Sequence, residues 1–193
     1  KNFIPHEYPC RTQFAAERRG QRPLVGGEAL MERVWLPFGS PRVDLSGFWF
    51  RSTVLATDAT TTLNAAVAGR ARLRLATCGG AILWVNGVEQ GFMAPYSRNL
   101  EAEHIFEVDL RAGANDLRLY FDDLAERDVR YYFQLDYLDG PDVTVSIPGG
   151  ARAGVAQAIE TALSTMHFER AAYRSGPVAF RLPVPRSEEH TSE

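Results

Sequence analysis

Cysteine is almost missing from this chain: only Cys10 and Cys78 occur, far apart and without a CxxC. That spacing excludes a thioredoxin-like pair and a cysteine-rich zinc site, and leaves one disulfide between them open. Histidine is as sparse, since His6, His104, His167 and His190 are scattered with no spacing that brings two imidazoles to one metal through local structure. No apolar run is long enough to span a bilayer, and Lys1-Asn2-Phe3-Ile4-Pro5-His6 lacks the basic-then-apolar order of a secretory signal, so the compartment stays undetermined. Excess positive charge is also lacking. A net charge of -3 and a pI near 5.9 give no overall field for phosphates or anionic lipid, so neither nucleic acid nor membrane is an expected partner. A sugar remains open as a ligand.

What is present belongs to an ordinary globular protein. Hydrophobic residues make up 45% and charged residues 23% of 193, enough for one domain with a proper core and the start of a second. The chain opens on Lys1 rather than Met, and its last residues, Arg186-Ser187-Glu188-Glu189-His190-Thr191-Ser192-Glu193, resemble an in-frame translation of a common short-read sequencing adapter. Together these imply a gene fragment of metagenomic type whose natural sequence ends near Pro185. The tail, 186–193, is set aside as non-native in reading the fold. On this expectation a C-terminal catalytic domain of the same chain, now missing, is a partner.

Four segments are expected: an N-terminal extension over 1–33, a β-sandwich over 34–147, a linker with the start of a following domain over 148–185, and the tail. From 35 to 147, short β-branched, aromatic and leucine-rich runs are broken by Gly, Pro, Asn and Asp at strand-length intervals. In the run 71–77, Leu73 and Leu75 alternate with Arg72 and Arg74, which puts the leucines on a core face and the arginines in water. The run 47–57, with Phe48, Trp49 and Phe50, reads as a longer strand buried on both sides. Further strands are expected at 104–109, 116–121, 131–138 and 142–147. Asn86-Gly87, between apolar runs, predicts a tight type I′ hairpin turn, a structural role in which both central residues take positive φ. After Pro148-Gly149-Gly150, the spacing of Val155, Ile159, Leu163 and Met166 predicts an amphipathic helix, followed by a turn and a short strand at 178–182. The fold class is therefore all-β, an antiparallel sandwich followed by a short strand-helix-strand segment.

Trp84-Val85-Asn86-Gly87, the run Leu110-Arg111-Ala112-Gly113-Ala114-Asn115-Asp116-Leu117 and the aromatic strand 47–51 together resemble the galactose-binding-like jelly-roll sandwiches that accompany many bacterial glycoside hydrolases. The resemblance covers about 34–138. It implies a jelly roll and a non-catalytic accessory role, with carbohydrate binding as one expected function and domain docking without sugar as the alternative. The segment 143–184 looks like the linking region of large bacterial proteins that continue into a helical-toroid glycosidase, but no catalytic motif of such enzymes is present to carry over.

Asp122, Asp123, Glu126 and Asp128 form the densest acidic group, and paired carboxylates are what glycosidic cleavage requires. Mixed with Arg127 and Arg130, they read instead as a solvated connection. Calcium is the one ion their oxygens would suit; no other cofactor is expected. No nucleophile elbow, catalytic Cys-His pair or phosphate loop occurs, so the fragment is not expected to hydrolyse anything. Sugars bind by stacking on exposed rings while polar neighbours take the hydroxyls. The loop 93–99 supplies Tyr96, Arg98 and Asn99 for that chemistry, with Tyr131, Tyr132 and Trp35 as further rings, whereas Trp49, Trp84 and Phe50 are assigned to the core. Ligand contacts should then come from the loops at one end of the sandwich.

Overall fold

A computed structural model describes residues 2–4, 8–26, 35, 40–146, 161, 164, 167–168 and 180–181. The chain divides into two compact units, Lys1–Ser146 and Ile147–Glu193. The first is an antiparallel β-sandwich. Its elements are β1 (Asn2–Ile4), α1 (Arg11–Arg18), β2 (Arg42–Asp44), β3 (Gly47–Ala65), β4 (Gly69–Thr77), β5 (Gly80–Val85), β6 (Val88–Met93), β7 (Ala102–Leu110), β8 (Gly113–Val129), β9 (Tyr132–Asp139) and β10 (Val143–Ser146). One sheet runs β1-β3-β8-β5-β6, with β10 also on β3, and the other runs β2-β9-β4-β7. From β2 to β10 the chain changes sheet at every connection except the β5–β6 hairpin.

Period-two alternation makes the core. Leu73 and Leu75 of β4 are buried between the sheets with Leu55 and Leu63 of β3, Leu83 of β5, Phe106 and Val108 of β7, and Leu117, Leu119 and Phe121 of β8. Each such side chain contributes roughly 1.5–3 kcal/mol on leaving water. On the outer side of β4, Arg70, Arg72 and Arg74 pair with Glu107, Asp139 and Asp136 of the flanking strands. These pairs are exposed and add little stability. They also neutralise that face, which leaves it little charge to offer a ligand.

The outer face of the larger sheet is covered by the chain's own beginning. Phe14 of α1 packs on Val54, Tyr96 and Leu124, and farther along, the Tyr120 hydroxyl donates to the carbonyl of Leu24. The stretch before residue 34 therefore contributes a strand and a covering helix to the same unit. Arg18 lies in the last turn of α1, where its charge complements the helix dipole. The guanidinium of Arg19 reaches the carbonyl of Pro95 and Arg22 pairs with Glu89, so the basic run 18–22 is pinned to the sandwich.

Asn86 and Gly87 form the β5–β6 turn with φ of 52° and 79°, as a type I′ turn requires. The Asn86 amide donates to Oδ1 of Asn115 at 2.9 Å, and its own Oδ1 accepts from the N–H of Asp116. Asn115 is fully buried; its Oδ1 also accepts from the N–H of Arg111, and its Nδ2 donates to the carbonyls of Arg111 and Gly113. Two of the three segments that carried the family resemblance thus serve one task, tying the hairpin tip to the β7–β8 turn.

In the second unit, β11 (His167–Phe168) pairs antiparallel with β12 (Phe180–Arg181), and Thr161 and Ser164 are helical. The remainder of the helix expected from Val155, Ile159, Leu163 and Met166, and the tail 186–193, lie outside the described residues.

Candidate functional site

The strand β8 overturns the reading of 122–128 as a solvated connection. It continues through the acidic run to Val129, paired with β3 along its length, so Asp122 and Asp123 are buried within the sheet. Asp123 occupies the core-facing register between Phe121 and Ala125, and Arg11, itself buried, reaches it from the start of α1 with two guanidinium nitrogens. The same arginine donates to the carbonyl of Leu124 at 2.6 Å, while its backbone N–H meets Glu126. Asp122 accepts a 2.8 Å hydrogen bond from the Tyr96 hydroxyl. Burial pushes Asp122 up to about 7 against the hydrogen bond from Tyr96. Burial likewise raises Asp123 to about 6 against the pull of Arg11.

Carboxyls raised this far often mark general acids. Here both groups are buried, Asp122 Oδ1 accepting from Tyr96 and the Asp123 carboxylate from Arg11 and the Leu124 N–H. The shifts follow from burial in a structural clasp. Among the described residues no three His, Cys, Asp or Glu side chains gather as a metal site would require.

The raised Asp122 gives a pH dependence of definite sign. A carboxyl whose folded pKa exceeds its unfolded value binds its proton more tightly when folded, so its stabilisation is complete below about pH 4 and is lost as pH rises toward about 7. Asp123 adds loss of the same sign between about pH 4 and 6. Melting temperature is expected to fall from pH 5 to pH 8, and Asp122→Asn should flatten that slope. A wild-type slope of opposite sign in thermal melts would contradict the assignment.

Tyr96 and Tyr131 are not sugar platforms. Tyr96 is 1% exposed, its ring against Phe14 and its hydroxyl on Asp122. Tyr131 is stacked on Phe121, and its hydroxyl bonds to Thr57 and the carbonyl of Phe121. Tyr132 is buried too, under the Arg42 guanidinium and bonded to Glu101. Both hydroxyls, like that of Tyr96, are raised by burial and lie outside any acid-base role at neutral pH. Trp35 is exposed.

Open rings occur instead where the sequence placed core. Phe48 and Phe50 lie on the same side of β3 as Val54, beyond the reach of α1, whereas Trp49 points inward and packs on the core. Phe50 is 94% exposed and meets Phe48 edge to face at 4.9 Å. Between Trp49 and Thr53 the register with β8 breaks, three residues of β3 standing opposite Glu126 alone, and this bulge carries Phe50 and Arg51 away from the sheet. Ser52 and Thr53 fix it through the carbonyls of Pro9 and Arg51.

Beside these rings is an open depression of about 470 Å³ lined by Ser46, Gly47, Phe48, Asn99, Asp128, Val129 and Arg130. Three junctions converge there: β2 into β3, β6 into β7, and β8 into β9. The Asn99 carbonyl oxygen accepts the Arg130 N–H at 3.0 Å, leaving its amide hydrogens free to donate. Ser46 Oγ accepts the Tyr131 N–H and keeps its own proton to offer. Arg98 clamps the carbonyls of Glu126 and Asp128, holding the β8 end in shape. Apart from Asn86 in its type I′ turn, the described non-glycine residues with positive φ, Tyr96, Asn99 and Arg127, lie in or beside the segments that form this end.

Of the residues singled out from sequence, Asn99 lines the cleft and Arg98 braces it, while Tyr96 and Tyr131 lie beneath it as packing. Ser46, Phe48, Asp128 and Arg130 were missed as a group. One signal was available in Phe48-Trp49-Phe50, because alternation cannot send three consecutive rings to one core face. No family model, curated protein or solved structure matches this chain.

Proposed function

We propose that the sandwich is a non-catalytic accessory module, of the galactose-binding-like kind the sequence resembles, which takes a saccharide in the cleft at its loop end as part of a larger carbohydrate-active protein. The observation that carries this is the pairing of an exposed aromatic surface, Phe48 with Phe50, with a depression whose wall offers Asn99, Ser46, Asp128 and Arg130. A pyranose has an apolar face for a ring and hydroxyls for such groups. Because Phe50 is almost wholly exposed, docking of another protein surface is the second reading.

One open site with few charge-assisted bonds should bind in the high micromolar to millimolar range, on the order of 4–6 kcal/mol. Calorimetry of the full chain against plant and bacterial oligosaccharides is expected to find such a ligand. Phe48→Ala should weaken it about tenfold with the melting temperature unchanged, and Arg72→Gln on the opposite sheet should have no effect. Affinity that survives the loss of Phe48 would place the site elsewhere.

A further inference from the structure

Resting on the reading of this cleft as a saccharide site, we propose that its ligand is acidic, a glycan bearing uronate carboxylates. The arginines of the sandwich are used unequally. Most of those whose side chains are described have a partner: Arg11, Arg22, Arg42, Arg70, Arg72, Arg74 and Arg118 pair with carboxylates, and Arg18, Arg19, Arg98 and Arg111 hold main-chain carbonyls. Arg51, Arg127 and Arg130 are the exceptions. Their guanidinium groups are exposed and make no hydrogen bond or ion pair among the described residues.

Arg130 alone of the three lines the depression; Arg127 precedes its Asp128, opposite the inward-facing Trp49, and Arg51 sits in the bulge next to Phe50. With Arg98 these three outnumber the nearby carboxylates Asp44, which accepts the Ser46 N–H, and Glu126 and Asp128 of β8, on a chain of net charge -3. A planar guanidinium without an internal partner matches a carboxylate in two-point geometry. A neutral sugar would leave these groups unused, and a small inorganic anion would sit against Asp128 with nothing for the rings to do. A uronate uses every part: its ring face on Phe48, its hydroxyls on Asp128, Asn99 and Ser46, and its carboxylate on Arg130.

The test is calorimetry of the full chain with oligomers of galacturonate, glucuronate and mannuronate beside their neutral counterparts, in 50 mM and 500 mM NaCl. At least one acidic oligomer is expected to bind tenfold or more tighter than its neutral counterpart, with the advantage shrinking at high salt. Arg130→Gln should abolish that advantage, Arg130→Lys should keep part of it, and Arg70→Gln should leave it intact. Equal or better binding of the neutral oligomers would overturn the acidic assignment and leave the saccharide reading standing. Silence from acidic and neutral sugars alike would overturn both. Sulfate, phosphate or polyglutamate binding as tightly as the uronates would overturn the proposal in favour of a general anion or acidic-protein surface.

Discussion

Replacing Arg11 by alanine is expected to destabilise the sandwich by roughly 3–5 kcal/mol near pH 8, because it strands the Asp123 carboxylate inside the sheet without its countercharge. No exposed pair of the β4 ladder should approach that cost; Arg70→Ala, for example, should lose less than about 1 kcal/mol. The loss should also depend on pH in a way that a packing defect would not. Asp123 is already raised by burial and held down by Arg11, so without the arginine it takes a proton more readily. Urea unfolding of Arg11→Ala should therefore show a smaller deficit at pH 5 than at pH 8, and Asp123→Asn in the same chain should recover part of it. An equal deficit at both pH values would mean that Arg11 acts through its packing alone.

The second large effect is expected at Gly80. A Cβ there would press into the Tyr96 hydroxyl and come within 2.6 Å of Asp122 Oδ1, so alanine must break or displace the buried hydrogen bond between them. Overpacking and a stranded polar group together cost about 3 kcal/mol. Gly87→Ala is the fitting comparison, since that residue needs a positive φ but has nothing within 4 Å, and its loss should be only about 1 kcal/mol. Denaturant midpoints of the two variants should rank in that order. The reverse ranking would show that Gly79-Gly80 is free to move and that the Tyr96–Asp122 contact matters little.

The strands and turns were legible in the sequence because their signals are local. Leu73 and Leu75 alternate with arginines, and Asn86-Gly87 carries its turn in two residues; both came out as the pattern predicts. What sequence could not show was pairing at long range. Asp122 and Asp123 look like a solvated loop until Arg11, more than a hundred positions earlier, and Tyr96 are brought against them. Tyr96 was misplaced for the same reason: Pro95-Tyr96-Ser97-Arg98-Asn99 has ligand-like composition, yet Phe14 covers the ring. Phe50 failed in the opposite direction. Its strand looks like core, and only the bulge and the limited reach of α1 leave it in water. Of the residues lining the depression, Asn99 was singled out in sequence, from the composition of the loop 93–99, whereas the opposing wall of Ser46, Phe48 and Arg130 exists only once β3 and β8 are paired.

If ligand is taken at the loop end of the sandwich, residue-resolved amide chemical-shift mapping of the full chain during titration with a galacturonate oligomer will locate it there. Shifts are expected to be confined to 46–51, Asn99 and 127–130, with the β4 ladder around Arg70, Arg72 and Arg74 silent. Shifts centred on that ladder, or none at the cleft while oligomer is demonstrably bound, would contradict a loop-end site.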